Sequence, residues 1–116
     1  MKPAVFGIPN CDSVKKARRW LDDNRIDHEF VDLRKNPPSA EQLRAWLEAV
    51  GDKVLVNRRS TSWKNLPVAD REGIDAGNII PVLAANPTLI KRPVLACGAD
   101  ITVGFDAASY SQRFTS

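Results

Sequence analysis

The stretch "FGIPNCDSVKKARRWL", residues 6–21, joins an apolar run to a helix-like pattern through a turn that contains a cysteine. The apolar run covers residues 3–8 and stops at Pro9–Asn10, which predicts a strand followed by a turn. Apolar residues then recur at the spacing of one helix face, at Val14, Ala17 and Leu21. The stretch therefore predicts a strand, a turn and a helix, with Cys11 at or next to the helix N-cap.

The predicted position of Cys11 favours a reactive thiol. The N–H groups of a first helical turn lack helical partners and carry the positive end of the helix dipole, so they favour a thiolate over a thiol. Lys15 follows one turn later and adds positive charge. The alternative is a small, inert, half-buried residue in a turn, because free cysteine also packs as a hydrophobe.

Composition and charge limit the classes of function. The chain has 116 residues, 43% of them hydrophobic and 27% charged, which predicts one globular domain. It contains no apolar run of about 18 residues, and its first apolar stretch is too short for a secretory signal. The net charge of +3 is dispersed, with no basic block longer than a pair. We therefore expect a cytoplasmic monomer that binds neither nucleic acid nor a membrane.

The chain has two cysteines, Cys11 and Cys97, far apart in sequence and outside any CxxC pattern. In a reducing cytoplasm such residues are expected to be free thiols. Cys97 lies in an apolar run, which favours a buried strand residue over a resolving thiol. His28, the single histidine, is expected to be solvated, and its isolation argues against a zinc site.

The middle of the chain predicts a second strand and a series of helices. Residues 28–34 alternate as a strand does, and Ser39 with Gln42 forms a capping-box pattern before an apolar stripe. The stretch 52–66 fits either a short helix running into a loop or an extended segment. Asn78 is expected to cap a further helix.

The end of the chain completes a mixed sheet. Two short apolar runs, 92–98 and 100–105, predict a hairpin, and Asp106 is expected to cap a final helix. A β-α-β crossover requires a parallel pair of strands, whereas the hairpin adds antiparallel ones. The predicted class is therefore α/β with a mixed sheet.

Four segments together resemble a known family: "GIPNCDSVKKARRWL" (7–21), "LVNRRSTSWKNL" (55–66), "LIKRPVL" (89–95) and "VGFDAASY" (103–110). They are similar to blocks of the ArsC/Spx/YffB family, arsenate reductase-like proteins with a thioredoxin/glutaredoxin fold, and most similar to its YffB-like subgroup. The resemblance implies one thioredoxin-like domain over residues 1–116. Its mixed four-stranded sheet would carry the site, with a helical insertion over about 37–88.

The same resemblance implies a cis-proline at Pro93 that faces the active cysteine. The residues alone favour a trans bond between Arg92 and Pro93 at the edge of a sheet. The two expectations differ, and the sequence leaves the choice open.

The resemblance also implies an activity, that of a glutathione-dependent monothiol reductase with Cys11 as the nucleophile. Cys11 would form a mixed disulfide with an unidentified oxidised substrate, and glutathione, as the co-substrate, would supply the second thiol that resolves it, with no bound cofactor or metal. The residues implied to position the anionic partner or shape the groove are Lys15, Asn57, Arg58, Arg59, Arg92 and Pro93. Arg59 is the stronger candidate of the arginine pair because the resemblance is to an N-x-R block, and a guanidinium near the thiolate would bind a carboxylate of glutathione through two hydrogen bonds.

Arsenate reduction is the first alternative. Arsenate reductases of this family hold the oxyanion with three arginines, and Arg92 matches one of them. The second position falls on Asn57, beside Arg58 and Arg59, and the third falls near Gly104, which has no guanidinium. A dianion needs several charge-assisted contacts, so this site is under-equipped for arsenate.

A regulator similar to Spx, which binds the RNA polymerase α-subunit, is the second alternative. Several such proteins switch through a CxxC disulfide, but Val14 stands at the second cysteine position here. We also expect no basic C-terminal helix of the kind such a binder has. Both departures disfavour this alternative.

Trp20, Trp46 and Trp63 are interpreted as packing residues.

Overall fold

The computed structural model describes residues 2–75 and 77–115. The chain forms two compact units. The first comprises the described residues up to Asp32 together with those from Arg92 onward, and the second comprises Leu33–Lys91. No helix in these described ranges has the length and apolar character needed to cross a membrane.

The first unit is built on a four-stranded sheet. Its strands are β1 (Ala4–Gly7), β2 (Glu29–Asp32), β3 (Val94–Cys97) and β4 (Asp100–Val103). Their order in the sheet is β2-β1-β3-β4, with β1 parallel to β2 and antiparallel to β3, and with β3 antiparallel to β4. The predicted mixed sheet is confirmed.

Two helices complete this unit, α1 (Asp12–Asp23) and α7 (Ala107–Thr115). The apolar face predicted for α1 is buried. It contributes to a core that joins both helices to the two central strands, formed by Val5, Ala17, Leu21, Leu95 and Tyr110. Asp106 caps the last helix as predicted, because its Oδ1 accepts a hydrogen bond from the Ala108 N–H at 3.2 Å.

The second unit is helical. It contains α2 (Ala40–Val50), α3 (Asp52–Leu55), α4 (Thr61–Lys64), α5 (Val68–Asp75), α6 (Ile79–Ala85) and a 3₁₀ turn (Pro87–Leu89). The capping box at the start of α2 is confirmed, since Ser39 and Gln42 each accept a backbone hydrogen bond from the other at 3.1 Å. The undecided stretch 52–66 contains two four-residue helices joined by a loop, so the predicted short helix running into a loop is the alternative that the structure has.

Three details differ from expectation. Helix α5 was not predicted, since its apolar residues form only a weak stripe. Asn78 begins α6, but its side chain makes no capping hydrogen bond. His28 was expected to be solvated, yet its side chain is only 9% exposed and its Nδ1 lies 3.0 Å from the carbonyl oxygen of Ile26.

Candidate functional site

Cys11 is the N-cap residue of α1, as the sequence predicts. Its backbone is extended, with φ −93° and ψ 127°, so that its carbonyl oxygen already accepts the Lys15 N–H at 2.9 Å. Its own N–H donates to Ile8 at 3.2 Å and closes the turn that leaves β1. The thiol is free and half-buried, and its sulfur makes no capping hydrogen bond. This sulfur is therefore available at the positive end of a twelve-residue helix.

Close packing holds the N-terminus of α1 against the sheet. Val14, in the first turn of α1, is fully buried. A Cβ atom placed on Gly7 would lie 2.5 Å from its Cγ2, so glycine is required for the helix to approach the end of β1 this closely. Cys11 lies on the chain between these two contacting residues. The position of Val14, where a CxxC protein has its second cysteine, is thus occupied by a packing residue.

Pro93 lies at the same end of the sheet. The last β1–β3 pair is Phe6 with Val94, so the register places Pro93 one step further, toward Gly7. The Arg92–Pro93 bond is cis, as the resemblance implies, and the trans bond favoured by the residues alone is wrong. Pro93 is buried and Arg92 is half-buried.

Gly104 is the neighbour of Pro93 on the other side. Its N–H donates to the Pro93 carbonyl oxygen at 2.8 Å, which continues the β3–β4 ladder by one residue. Its φ of +82° is a left-handed value that favours glycine. The end of the sheet that leads into Cys11 therefore presents backbone at position 104, where an arsenate reductase would need a guanidinium.

Cys97 lies at the opposite end of the sheet from Cys11. Ala4 pairs with Ala96, so Cys97 is level with the start of β1, whereas Cys11 follows its end at Gly7. Four strand residues separate the two levels, roughly 13 Å. A disulfide requires Cα atoms within about 7 Å. Burial raises the pKa of the Cys97 thiol, and the nearby positive charge of Arg113 offsets this only in part.

Asn57, Arg58 and Arg59 belong to the helical unit, in the loop between α3 and α4. Asn57 Oδ1 accepts the Arg59 N–H at 3.1 Å, which fixes the backbone of the pair. The Arg58 guanidinium donates to Asp52 at 3.2 Å, and its Cζ lies 5.3 Å from the centre of the Trp63 ring. Trp63 thus packs against a candidate site residue.

The same loop lines a cavity of about 230 Å³ within the helical unit. Its polar lining residues are Lys53, Asn57, Arg58, Arg59 and Lys91. Lys53 and Lys91 were not predicted as site residues. Lys91 lies within one of the four family-like segments and Lys53 lies just before another, so the sequence did mark both regions. Placing the two lysines at one cavity required knowledge of the contact between residues 55–57 and 89–91.

The comparisons with known proteins agree with this architecture. Cys11 at the N-cap of the helix after β1 and the cis-proline before β3 stand where the predicted fold places them, and the thioredoxin/glutaredoxin-like fold class is confirmed. The ArsC family profile matches residues 6–113, and the chain therefore belongs to the ArsC family.

Individual relatives place it within that family. An uncharacterised protein of Haemophilus influenzae is 41% identical over 110 residues, which cover 95% of this chain and 96% of the relative. A solved structure of a YffB protein superposes with a TM-score of 0.90 at 34% identity, covering 96% of this chain and 97% of the other. The global transcriptional regulator Spx of Streptococcus pyogenes is 29% identical over 88% of this chain and 77% of its own length.

Proposed function

We propose that the protein is a glutathione-dependent monothiol reductase, with Cys11 as its nucleophile. The observation that carries this proposal is the half-buried free thiol of Cys11 at the N-cap of α1. Helix N-termini favour the thiolate, which is the form that attacks a disulfide. Cys97 lies at the far end of the sheet, which supports a mechanism with one protein thiol.

The reaction takes two exchange steps. In the first, the Cys11 thiolate attacks the glutathione sulfur of a mixed disulfide between the substrate and glutathione, and the substrate leaves as a thiolate. In the second, a glutathione thiolate attacks the glutathione sulfur now bound to Cys11. This step regenerates the Cys11 thiolate and releases oxidised glutathione. Each step breaks one S–S bond and forms another, so the net reaction consumes one free glutathione thiol and converts the mixed disulfide into the substrate thiol and oxidised glutathione.

Other residues are proposed to hold the anionic co-substrate. Arg92 and Lys15 lie in the same unit as Cys11 and would attract its carboxylates, while Pro93 would shape the groove beside the sulfur. From the helical unit, Arg59 is proposed as a further glutathione-binding residue, with Asn57 and Arg58 supporting it. The protein itself would need no bound cofactor, and a reducing cytoplasm would supply the glutathione.

The test is a turnover assay with glutathione and bis(2-hydroxyethyl) disulfide. We expect activity in the wild type and in Cys97→Ala, but none above background in Cys11→Ser. Cys97→Ala is the matched control because it removes the other thiol of the chain. Activity that survives in Cys11→Ser, or that is lost in a folded Cys97→Ala protein, would show that the mechanism is wrong.

A further inference from the structure

The cavity in the helical unit is lined by more cationic side chains than the carboxylates beside it neutralise. Four cationic side chains line it, those of Lys53, Arg58, Arg59 and Lys91. The Asp52 carboxylate pairs with Arg58. Within the part of the chain that the structure describes, the other three cations have no carboxylate within 4 Å. We call the cavity and the four cationic residues that line it the cationic pocket. Because like charges held close together repel one another, an anionic ligand that neutralised the excess positive charge would be bound favourably.

The backbone beneath the cationic pocket is well fixed. The Asn57 N–H donates to Leu89 at 2.8 Å, and the Lys91 N–H donates to Leu55 at 2.7 Å. Between these two bonds, Val56 and Ile90 form an antiparallel bridge. Two segments distant in sequence are therefore cross-linked, and Lys91 is held beside the loop that carries the arginines.

An apolar side chain lies at the same pocket. Val54 lines it and is 44% exposed, although it is a large hydrophobic residue. An inorganic anion would gain nothing from a valine, whereas a peptide with acidic and apolar residues would contact both kinds of group. Interfaces between proteins commonly combine an apolar contact with a polar and charged rim. The pocket therefore fits a peptide better than a bare oxyanion.

We propose that the cationic pocket of the helical unit docks an acidic, partly apolar peptide segment of a partner protein. This inference goes beyond the proposed function, because it assigns the helical unit a binding site that does not depend on Cys11. Glutamate or aspartate carboxylates would pair with Lys53 and Lys91, and an apolar side chain would cover Val54.

The binding test uses a variant that lacks the Cys11 thiol and so cannot carry out thiol exchange there. Fluorescence anisotropy would measure the affinity of Cys11→Ser protein for a labelled peptide with the core Glu-Glu-Leu-Glu-Glu. The same peptide with glutamine at every glutamate is the ligand control. We expect the acidic peptide to bind at least 10-fold more tightly than the glutamine peptide, and its binding to weaken as salt is raised, since exposed charges are screened.

Variants then locate the binding. Lys53→Ala with Lys91→Ala should weaken acidic-peptide binding about 3- to 20-fold, since an exposed ion pair contributes up to about 1 kcal/mol. Lys16→Ala with Lys35→Ala removes the same charge from exposed positions outside the pocket and should change binding less than 2-fold. Val54→Ser should weaken binding about 2-fold while leaving the charge unchanged.

The outcomes separate this proposal from the proposed function. Peptide binding by Cys11→Ser protein, with no thiol exchange in the wild type, would support the pocket and overturn the reductase. Equal binding of the two peptides, equal effects of the two lysine pairs, or full displacement of the peptide by an equal concentration of inorganic pyrophosphate would overturn the docking proposal. None of these results would alter the test of Cys11 on a small disulfide.

Discussion

Val14 of α1 lies directly against Gly7 at the end of β1, so closely that a Cβ atom on Gly7 would come within 2.5 Å of Val14 Cγ2. Cys11 sits on the turn between these two residues, and its position as the N-cap depends on this contact. The Cys11 thiol is therefore placed by the packing of a glycine against a valine.

Gly7→Ala should destabilise the protein by about 1–3 kcal/mol, the usual cost of forcing an extra methyl group into a packed site. The shift of α1 should also lower the activity of Cys11. Urea unfolding measures the first effect, and the matched control is Gly73→Ala in α5, where a new Cβ atom would lie 3.8 Å from its nearest neighbour. Alanine there should raise stability by up to about 1 kcal/mol through helix propensity. A fully stable Gly7→Ala protein would contradict the packing described.

Cys97 should react more slowly with iodoacetamide than Cys11 does. Burial raises the pKa of Cys97, so its thiol stays protonated at neutral pH, whereas the reactive form is the thiolate. Its labelling rate should rise only above about pH 8.5, the ordinary value for a cysteine. Mass spectrometry of peptides from the folded protein would follow each thiol separately. Equal labelling at pH 7 would show that the two thiols are equivalent.

Tyr110→Phe should leave the protein as stable as the wild type or stabilise it by up to about 1 kcal/mol. The ring is fully buried, but its hydroxyl has no hydrogen-bond partner among the described residues, so its removal breaks no bond. Tyr110→Ala, the contrasting variant, should cost about 3–5 kcal/mol because the ring packs edge-on against Trp20 and Phe105. A clear loss of stability in Tyr110→Phe would reveal a partner for the hydroxyl.

Stability should fall as the pH rises above about 8.5. Burial is the main reason that the pKa values of Cys97 and Tyr110 are raised in the folded protein. The unfolded chain releases these protons near pH 8.5 and 10, while the folded chain still holds them, so alkali favours unfolding. Urea midpoints between pH 7 and 10 should decline less steeply in Cys97→Ala with Tyr110→Phe. Parallel declines in the two proteins would assign the effect to other groups.

Arsenate should be reduced at background rates, while thiol exchange with glutathione should weaken when Arg92 or Arg59 becomes alanine. Gly104 offers only backbone where a third arginine would be needed, and a missing charge-assisted contact costs about 1.5–3 kcal/mol. That corresponds to roughly 10- to 150-fold in binding. Side-by-side assays with arsenate and a disulfide would decide this. Efficient arsenate turnover would mean that another cation replaces the missing guanidinium.

Short-range sequence patterns correctly predicted the start of α1. The spacing of Val14, Ala17 and Leu21 located α1 and its buried face, and Cys11 followed as its N-cap. Asp106 and the capping box at Ser39 were also found, because a cap is a short-range arrangement of side chain and backbone.

The features that were missed depend on distant parts of the chain. The residues alone favoured a trans bond before Pro93, which is wrong, since most X-Pro bonds are trans and a single pair carries no local signal for the cis isomer. Lys53 and Lys91 line the same pocket because the bridge between Val56 and Ile90 brings their two segments together. His28 is mostly covered by structure around it, which its polar neighbours in sequence do not indicate.

Mass spectrometry of the intact folded protein after incubation with oxidised glutathione tests the central claim most directly. The account predicts a single glutathione adduct, on Cys11, in the wild type and in Cys97→Ala, and no adduct in Cys11→Ser. An adduct on Cys97 alone, or an unmodified Cys11 in the folded wild type, would contradict it.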